Sequence, residues 1–295
     1  MRGNVYDPID GKLVQFRTGD GLELEGFLVS PKGASRCIIF LHGMEGNFHE
    51  SPMPMVIAER AKKAGMALFS MDTRGHDVLA NITRVADGRQ SYYIGGTAVE
   101  RFEDSVLDVD AAIKALKGMG FSSFILCGHS TGCQKAAYYQ YARRNKSVSG
   151  IVLLAPVSDY EDEMKTLGKE FNKKVRVAKA VASNGNGDLF CTKLSMRYSP
   201  NRFLSIADLG NVEARLFEYE GGLSEFGSIT VPILAVFGTN DQYAHKRVSH
   251  YIERMRNTTR SKLFEGLVLD GADHGFEGVE GRVAKEVCRF AASCK

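Results

Sequence analysis

The sequence predicts an α/β protein: a mostly parallel central sheet with helices on both faces, carrying a partly helical insertion. Three observations lead there. Continuous apolar runs of strand length alternate with amphipathic stretches of helical period, the pattern of strands buried on both faces. That alternation stops at Pro156 and resumes at Val231. At Gly128-His129-Ser130-Thr131-Gly132, an apolar run must turn sharply into a helix.

The elements follow in order. Val14–Arg17 and Leu22–Val29, separated by Thr18-Gly19-Asp20-Gly21, read as an antiparallel hairpin. Cys37–Leu41 is a continuous apolar strand, Met55–Ala64 a helix closed by Gly65, and Met66–Met71 another strand. Phe102, Val106, Val109, Ile113 and Leu116 recur at steps of four and three, which places them on one face of a helix ended by Gly118. Strand Phe124–Cys127, the helix after the glycine turn, and strand Ile151–Leu154 come next. A nucleotide-binding sheet would show a Gly-x-Gly-x-x-Gly turn after its first parallel strand, and none stands there. Strands Ile233–Phe237 and Leu263–Leu269 complete the pattern.

Residues 1–156 and 230–295 are therefore expected to form the core, and 157–229 a lid or cap insertion. Ser158, with Glu161 three residues on, has the form of a capping box. Met164, Leu167, Phe171, Val175 and Ala178 form a helical apolar stripe, with an end expected before Asn184-Gly185-Asn186-Gly187. Such a helix must bury its stripe, and the carboxyl edge of the sheet is the available surface. The competing expectation is a surface helix packed away from the site.

Composition narrows the partners. The 295 residues can bury one large core, and 38 basic against 35 acidic residues give a net charge of only +3 without a Lys/Arg run. Neither nucleic acid nor an anionic membrane is indicated, and a small-molecule partner is expected. The first residues lack the apolar core of a signal peptide, and no later run is long enough to span a bilayer, which predicts a cytoplasmic protein without stable membrane insertion. Cys37 and Cys127 sit inside apolar runs, and the six cysteines lack metal-ligand spacing. Buried free thiols are expected, with no metal and no cofactor.

The two glycines of Gly128–Gly132 remove the side chains that would collide in so tight a turn, and Ser130 is left at its tip as a candidate nucleophile. A serine hydroxyl needs an adjacent base, itself held by a carboxylate. On a serine elbow of this kind the acid and then the base follow in the chain. Asp241 comes just past strand Ile233–Phe237, and His274 just past strand Leu263–Leu269, so three strand ends converge. Asp270 and Asp273 remain competing acids, more in keeping with bracing the histidine loop. Asp72 ends a strand but precedes the serine, and is expected to anchor Thr73-Arg74-Gly75-His76. The oxyanion is expected to meet the backbone N–H of Thr131 and of Met44, in the loop Leu41–Gly46. His42 there reads as a brace.

These residues resemble the α/β-hydrolase superfamily over nearly the whole chain: His42-Gly43, Asp72–His76, Gly128–Gly132, Asp241 and His274 match its landmarks in order. More narrowly, His129–Gln134, Asn201-Arg202-Phe203-Leu204-Ser205 and Phe226-Gly227 resemble a branch containing fungal siderophore esterases, with one departure: Gln242 stands where a glutamate is expected. The resemblance implies a triad of Ser130, Asp241 and His274 and an acyl-enzyme mechanism on a carboxylic ester or thioester. Acyl transfer, C–C hydrolysis, and lyase or peroxidase chemistry use similar triads, and a small-molecule receptor with a retained triad is the alternative of another class. Met44, Phe48, Met53, Tyr92, Tyr93, Phe171, Met196 and Phe203 are the candidate pocket residues.

Overall fold

Strand and helix alternate along the chain, described here by a computed structural model over residues 9–191 and 197–294. Lys12–Arg17 (β1), Glu23–Val29 (β2) and Arg36–Leu41 (β3) lead into helix Met53–Lys63 (α1) and strand Ala67–Met71 (β4). Ala80–Ala86 (β5) and Arg89–Gly95 (β6) precede Ser105–Gly118 (α2), Ser123–His129 (β7), Thr131–Arg143 (α3) and Val148–Leu154 (β8). Helices Asp159–Leu167 (α4), Phe171–Val181 (α5), Pro200–Ala207 (α6), Val212–Leu216 (α7) and Ser224–Gly227 (α8) follow. Ile233–Gly238 (β9), Val248–Thr258 (α9), Phe264–Leu269 (β10) and Glu280–Ser293 (α10) end the chain.

Eight strands form one sheet in the order β1-β2-β4-β3-β7-β8-β9-β10. The predicted hairpin is present, with Val14 opposite Gly26, and β2 runs antiparallel to β4; from β4 to β10 every pair is parallel. Within each continuous apolar run, neighbouring residues serve opposite faces. Ile39 and Leu126 join a core under α2, α3 and α9, whereas Ile38 and Ile125 join one under α1 and α10. Parallel pairing brings the carboxyl ends of β3, β7, β9 and β10 to one edge, and the loops that leave them carry Gly43, Ser130, Asp241 and His274.

Residues 80–95, which carry no expected element, form β5 and β6, paired antiparallel as a separate two-stranded sheet. Asp87 (φ 51°) and Gly88 (φ 73°) form its two-residue turn. Asp-Gly between alternating residues is the signal that identifies such a hairpin.

The insertion helix also needs correction. Its cap is as expected, Ser158 accepting the Glu161 N–H at 3.2 Å, but the Glu161 carboxylate turns away to the Tyr251 hydroxyl. Gly168, at φ 50°, interrupts the stripe between α4 and α5, and Met164 is exposed. Phe171 and Ala178, with Leu167 and Val175 beside them, pack on Phe203, Ile206 and Ala207 of α6 in a third, smaller apolar cluster. The α5 helix ends at Val181, before Asn184-Gly185-Asn186-Gly187 as expected.

Candidate active site

Ser130 joins β7 to α3 in a backbone conformation, φ 54° and ψ −127°, that side chains other than glycine rarely adopt. The close packing explains the flanking glycines. A Cβ on Gly128 would stand 2.2 Å from the Gly132 carbonyl oxygen, and one on Gly132 would stand 2.1 Å from that of Leu41. The backbone of Gly43 is also close: a Cβ there would meet the Ser130 Cβ at 2.9 Å. The loop after β3 therefore presses its main chain onto the serine.

His274 and Asp241 come together from the ends of β10 and β9. The Nδ1 of His274 lies 3.0 and 2.9 Å from the two Asp241 carboxylate oxygens, and both residues are buried. An ionised carboxylate only accepts, so Nδ1 carries the proton and donates. Oδ1 of Asp241 also accepts the Tyr243 N–H at 3.0 Å, and the Tyr243 ring stands edge-on to His274. Gln242, the departure noted above, accepts the His274 N–H through Oε1 at 3.3 Å. His129, next to the serine, makes a 2.8 Å bond to the His274 carbonyl through Nε2; burial, with His274 adding, pushes its imidazole down to about 4, so it remains neutral and donates. The competing acids are engaged elsewhere: Asp270 accepts from the Thr239 hydroxyl, and Asp273 from the Glu277 N–H.

A polar scaffold holds the loop after β3. His42 bonds the Gly43 carbonyl through Nδ1 at 2.8 Å and accepts the Thr73 N–H at Nε2, the bracing arrangement. Burial, reinforced by Lys135, pushes the His42 imidazole down to about 3 and keeps it uncharged. Asp72 reaches beyond the loop it begins: its Oδ1 accepts the Phe48 N–H at 2.9 Å and so ties down the loop after β3. Lys135 of α3 bonds the Thr73 hydroxyl and pairs with Glu100, and Glu100 in turn faces Arg202 of α6, which pairs with Glu213 of α7. Burial would protonate Glu100, but Lys135 and Arg202 outweigh it and hold the carboxyl below its usual range. The Asn201–Ser205 motif is thus partly explained: Arg202 and Ser205 both bond the Glu213 carboxylate.

Ser130, Thr131, His274, His42, Gly43 and Met44 line one cavity of about 420 Å³. Val157, Asp159, Glu163, Tyr198 and Ile206 line it from the segment after β8, and Tyr243 from the loop after β9. Of the candidate pocket residues among those described, only Met44 is in the lining. Phe48 packs its ring against His49, Tyr92 is exposed on β6, and Tyr93 packs against the main core. Phe171 meets Tyr160 edge-on in the small cluster behind α6; Met53 and Phe203 are core. Met196 lies outside the described residues. Tyr198 and Ile206 carry no local signal that separates a pocket wall from core, whereas Asp159, close after a strand end, was open to recognition. Among the described residues, no cluster of His, Cys, Asp and Glu fits a metal ion, and no helix is long and apolar enough to cross a membrane.

Comparison with solved structures places the fold. The siderophore hydrolase EstB of Aspergillus fumigatus superimposes with a TM-score of 0.70 at 16% identity, over 97% of this chain and 98% of that one. Est1E of Butyrivibrio proteoclasticus, solved with ferulic acid bound, gives 0.63 at 16% identity over 95% and 99%. The Pyrococcus furiosus esterase Pf2001 gives 0.59 at 18% over 98% and 95%. No curated protein matches by sequence. The chain has the α/β-hydrolase fold, and its residues 86–292 match the model of the family described as "Protein of unknown function (DUF1749)", to which it belongs.

Proposed function

We propose that this protein is a serine hydrolase that cleaves a carboxylic ester or thioester of a small molecule through an acyl-enzyme. The observation that carries the reading is the buried Asp241–His274 pair opening on the same cavity as Ser130, which sits in a strained turn. In this mechanism His274 accepts the Ser130 proton at Nε2 while Asp241 fixes the tautomer and stabilises the imidazolium. The Ser130 oxygen attacks the carbonyl carbon, and the oxyanion is received by the N–H groups of Thr131, first in α3, and of Met44. His274 then returns the proton to the leaving alcohol, and water repeats the sequence to release the acid.

We read residues 157–229 as the lid of this site, since Val157, Tyr198 and Ile206 contribute to the cavity wall. Arg197 and Glu45 pair at 2.9 Å and link that segment to the loop after β3. The esterase activities of the structural neighbours accord with the reading without identifying the substrate.

The test is labelling by a fluorophosphonate together with turnover of p-nitrophenyl esters of increasing acyl length. Both are expected in the wild type and absent in Ser130→Ala. Undiminished hydrolysis by that variant would overturn the proposal.

A further inference from the structure

The oxyanion site has a carboxyl group as a neighbour. Asp159, the first residue of α4, lines the cavity with Ser130 and Thr131. Its Oδ2 accepts the Gln134 amide at 2.8 Å and the Thr131 hydroxyl at 3.4 Å, while the same amide nitrogen also donates to the Val157 carbonyl at 3.2 Å. Thr131 and Gln134 both belong to the opening turn of α3, so Asp159 fastens the segment after β8 to the helix end proposed to receive the oxyanion.

A carboxyl in this place has opposite effects in its two charge states. Either state accepts the bonds that hold α3. The ionised state, however, sets a negative charge beside the oxygen on which negative charge develops during attack, between protein walls that screen the repulsion less than bulk water does. We propose that Asp159 is a positioning residue that also makes the site sensitive to alkali: uncharged, it clamps the first turn of α3 and leaves the oxyanion site electropositive; ionised, it opposes the tetrahedral intermediate. This rests on the serine hydrolase reading above.

The surroundings favour the uncharged form at neutral pH. Asp159 bonds Thr131 and Gln134 of α3 and lies within electrostatic reach of Cys133 of α3, Asp162 of its own helix, Tyr198 before α6, Arg202 of α6 and Glu213 of α7. Burial first, then the negative charges of Glu213 and Asp162, push its carboxyl up to about 8, against the opposing pull of Arg202 and the Thr131 hydroxyl. The Arg202–Glu213 pair is therefore more than packing: Glu213 brings a negative charge to bear on Asp159, and Arg202 opposes it.

The experiment measures the rate of fluorophosphonate labelling of the full-length protein from about pH 6 to 10, with folding followed by circular dichroism at each pH. The wild-type rate is expected to fall about tenfold or more between about pH 8 and 10, because the active fraction drops tenfold per pH unit above the controlling group. In Asp159→Asn, which retains the accepting oxygen and cannot ionise, the rate should change less than about twofold over that interval. Glu213→Gln removes one of the charges that keep Asp159 protonated, and should move the alkaline fall to lower pH. An alkaline limb unchanged in folded Asp159→Asn, or unmoved in folded Glu213→Gln, overturns the inference, as does a wild-type rate that holds up to pH 10. Labelling that survives Ser130→Ala, or that fails at every pH, would instead refute the hydrolase reading.

Discussion

His274 Nδ1 and Asp241 Oδ2 stand 2.9 Å apart although they lie 33 positions apart in the chain, and the Asp241 carboxylate is wholly removed from solvent. Parallel pairing of β9 with β10, in which Gly238 lies opposite Leu269, brings the two loops side by side. The proton on Nδ1 leaves Nε2 as the basic nitrogen of the ring.

Asp241→Asn should lower kcat by about ten-thousand-fold, because an amide in that place favours the wrong tautomer and cannot stabilise the imidazolium. Asp270→Asn and Asp273→Asn should retain activity within about tenfold, since Asp270 ties the loop after β10 to Thr239 in the loop after β9 and Asp273 braces its own loop. Steady-state kinetics on the three variants decide between the acids. An inactive Asp273→Asn beside a nearly normal Asp241→Asn would reassign the role.

The elbow should carry measurable strain. Ser130→Ala and Ser130→Gly both remove the hydroxyl, but only glycine adopts the φ of 54° without steric cost. Strain of about 1–3 kcal/mol, less the greater flexibility of glycine in the unfolded chain, leaves Ser130→Gly more stable than Ser130→Ala by about 1 kcal/mol. Urea denaturation of the pair measures the difference. Gly132→Ala should be destabilised by more than about 3 kcal/mol, since its methyl group meets two main-chain oxygens that side-chain rotation cannot move.

Chain-length preference should respond to Ile206 rather than to Phe171. Ile206 lines the cavity and Phe171 packs behind it. Ile206→Ala makes room for added methylenes, each worth about 1–3 kcal/mol in an apolar pocket, and should shift the preference toward longer acyl chains. Phe171→Ala should instead lower stability by about 3 kcal/mol with a nearly unchanged preference profile, read from kcat/KM across a homologous ester series. A large change of preference in folded Phe171→Ala would contradict the observed packing.

Stability should fall toward acid on account of His42 and His129. Their folded-state values are depressed, to about 3 and about 4, so below the ordinary histidine range the unfolded chain takes up protons that the folded chain refuses. Stability is lost as pH falls from about 6.5 toward 4. Asp159 has the opposite sign: its folded value is raised to about 8, so between about 4 and 8 the unfolded chain releases a proton that the folded chain keeps, and stability declines as pH rises. Asp159→Asn should therefore raise the melting temperature at pH 8 more than at pH 5. A difference independent of pH would remove the linkage.

The sequence by itself determined what depends on local order. Apolar runs of strand length and helical periods define the sheet and its covering helices; two glycines around Ser130 define a turn; Asp241 and His274 follow strand ends, and parallel pairing then leaves them little choice but one edge. Tertiary structure alone decided the rest. An aromatic or aliphatic residue has the same sequence appearance in a pocket wall, in a core and on a surface, so the sequence does not separate Tyr92, Tyr93 and Phe171 from Tyr198 and Ile206, which line the cavity. The ion network from Lys135 through Glu100 to Arg202 and Glu213 joins four distant segments, and the charge state of Asp159 follows from that company and from burial. Neither burial nor the approach of remote charges is encoded in nearest neighbours along the chain, and both act on electrostatics that exist only once the chain has closed around them.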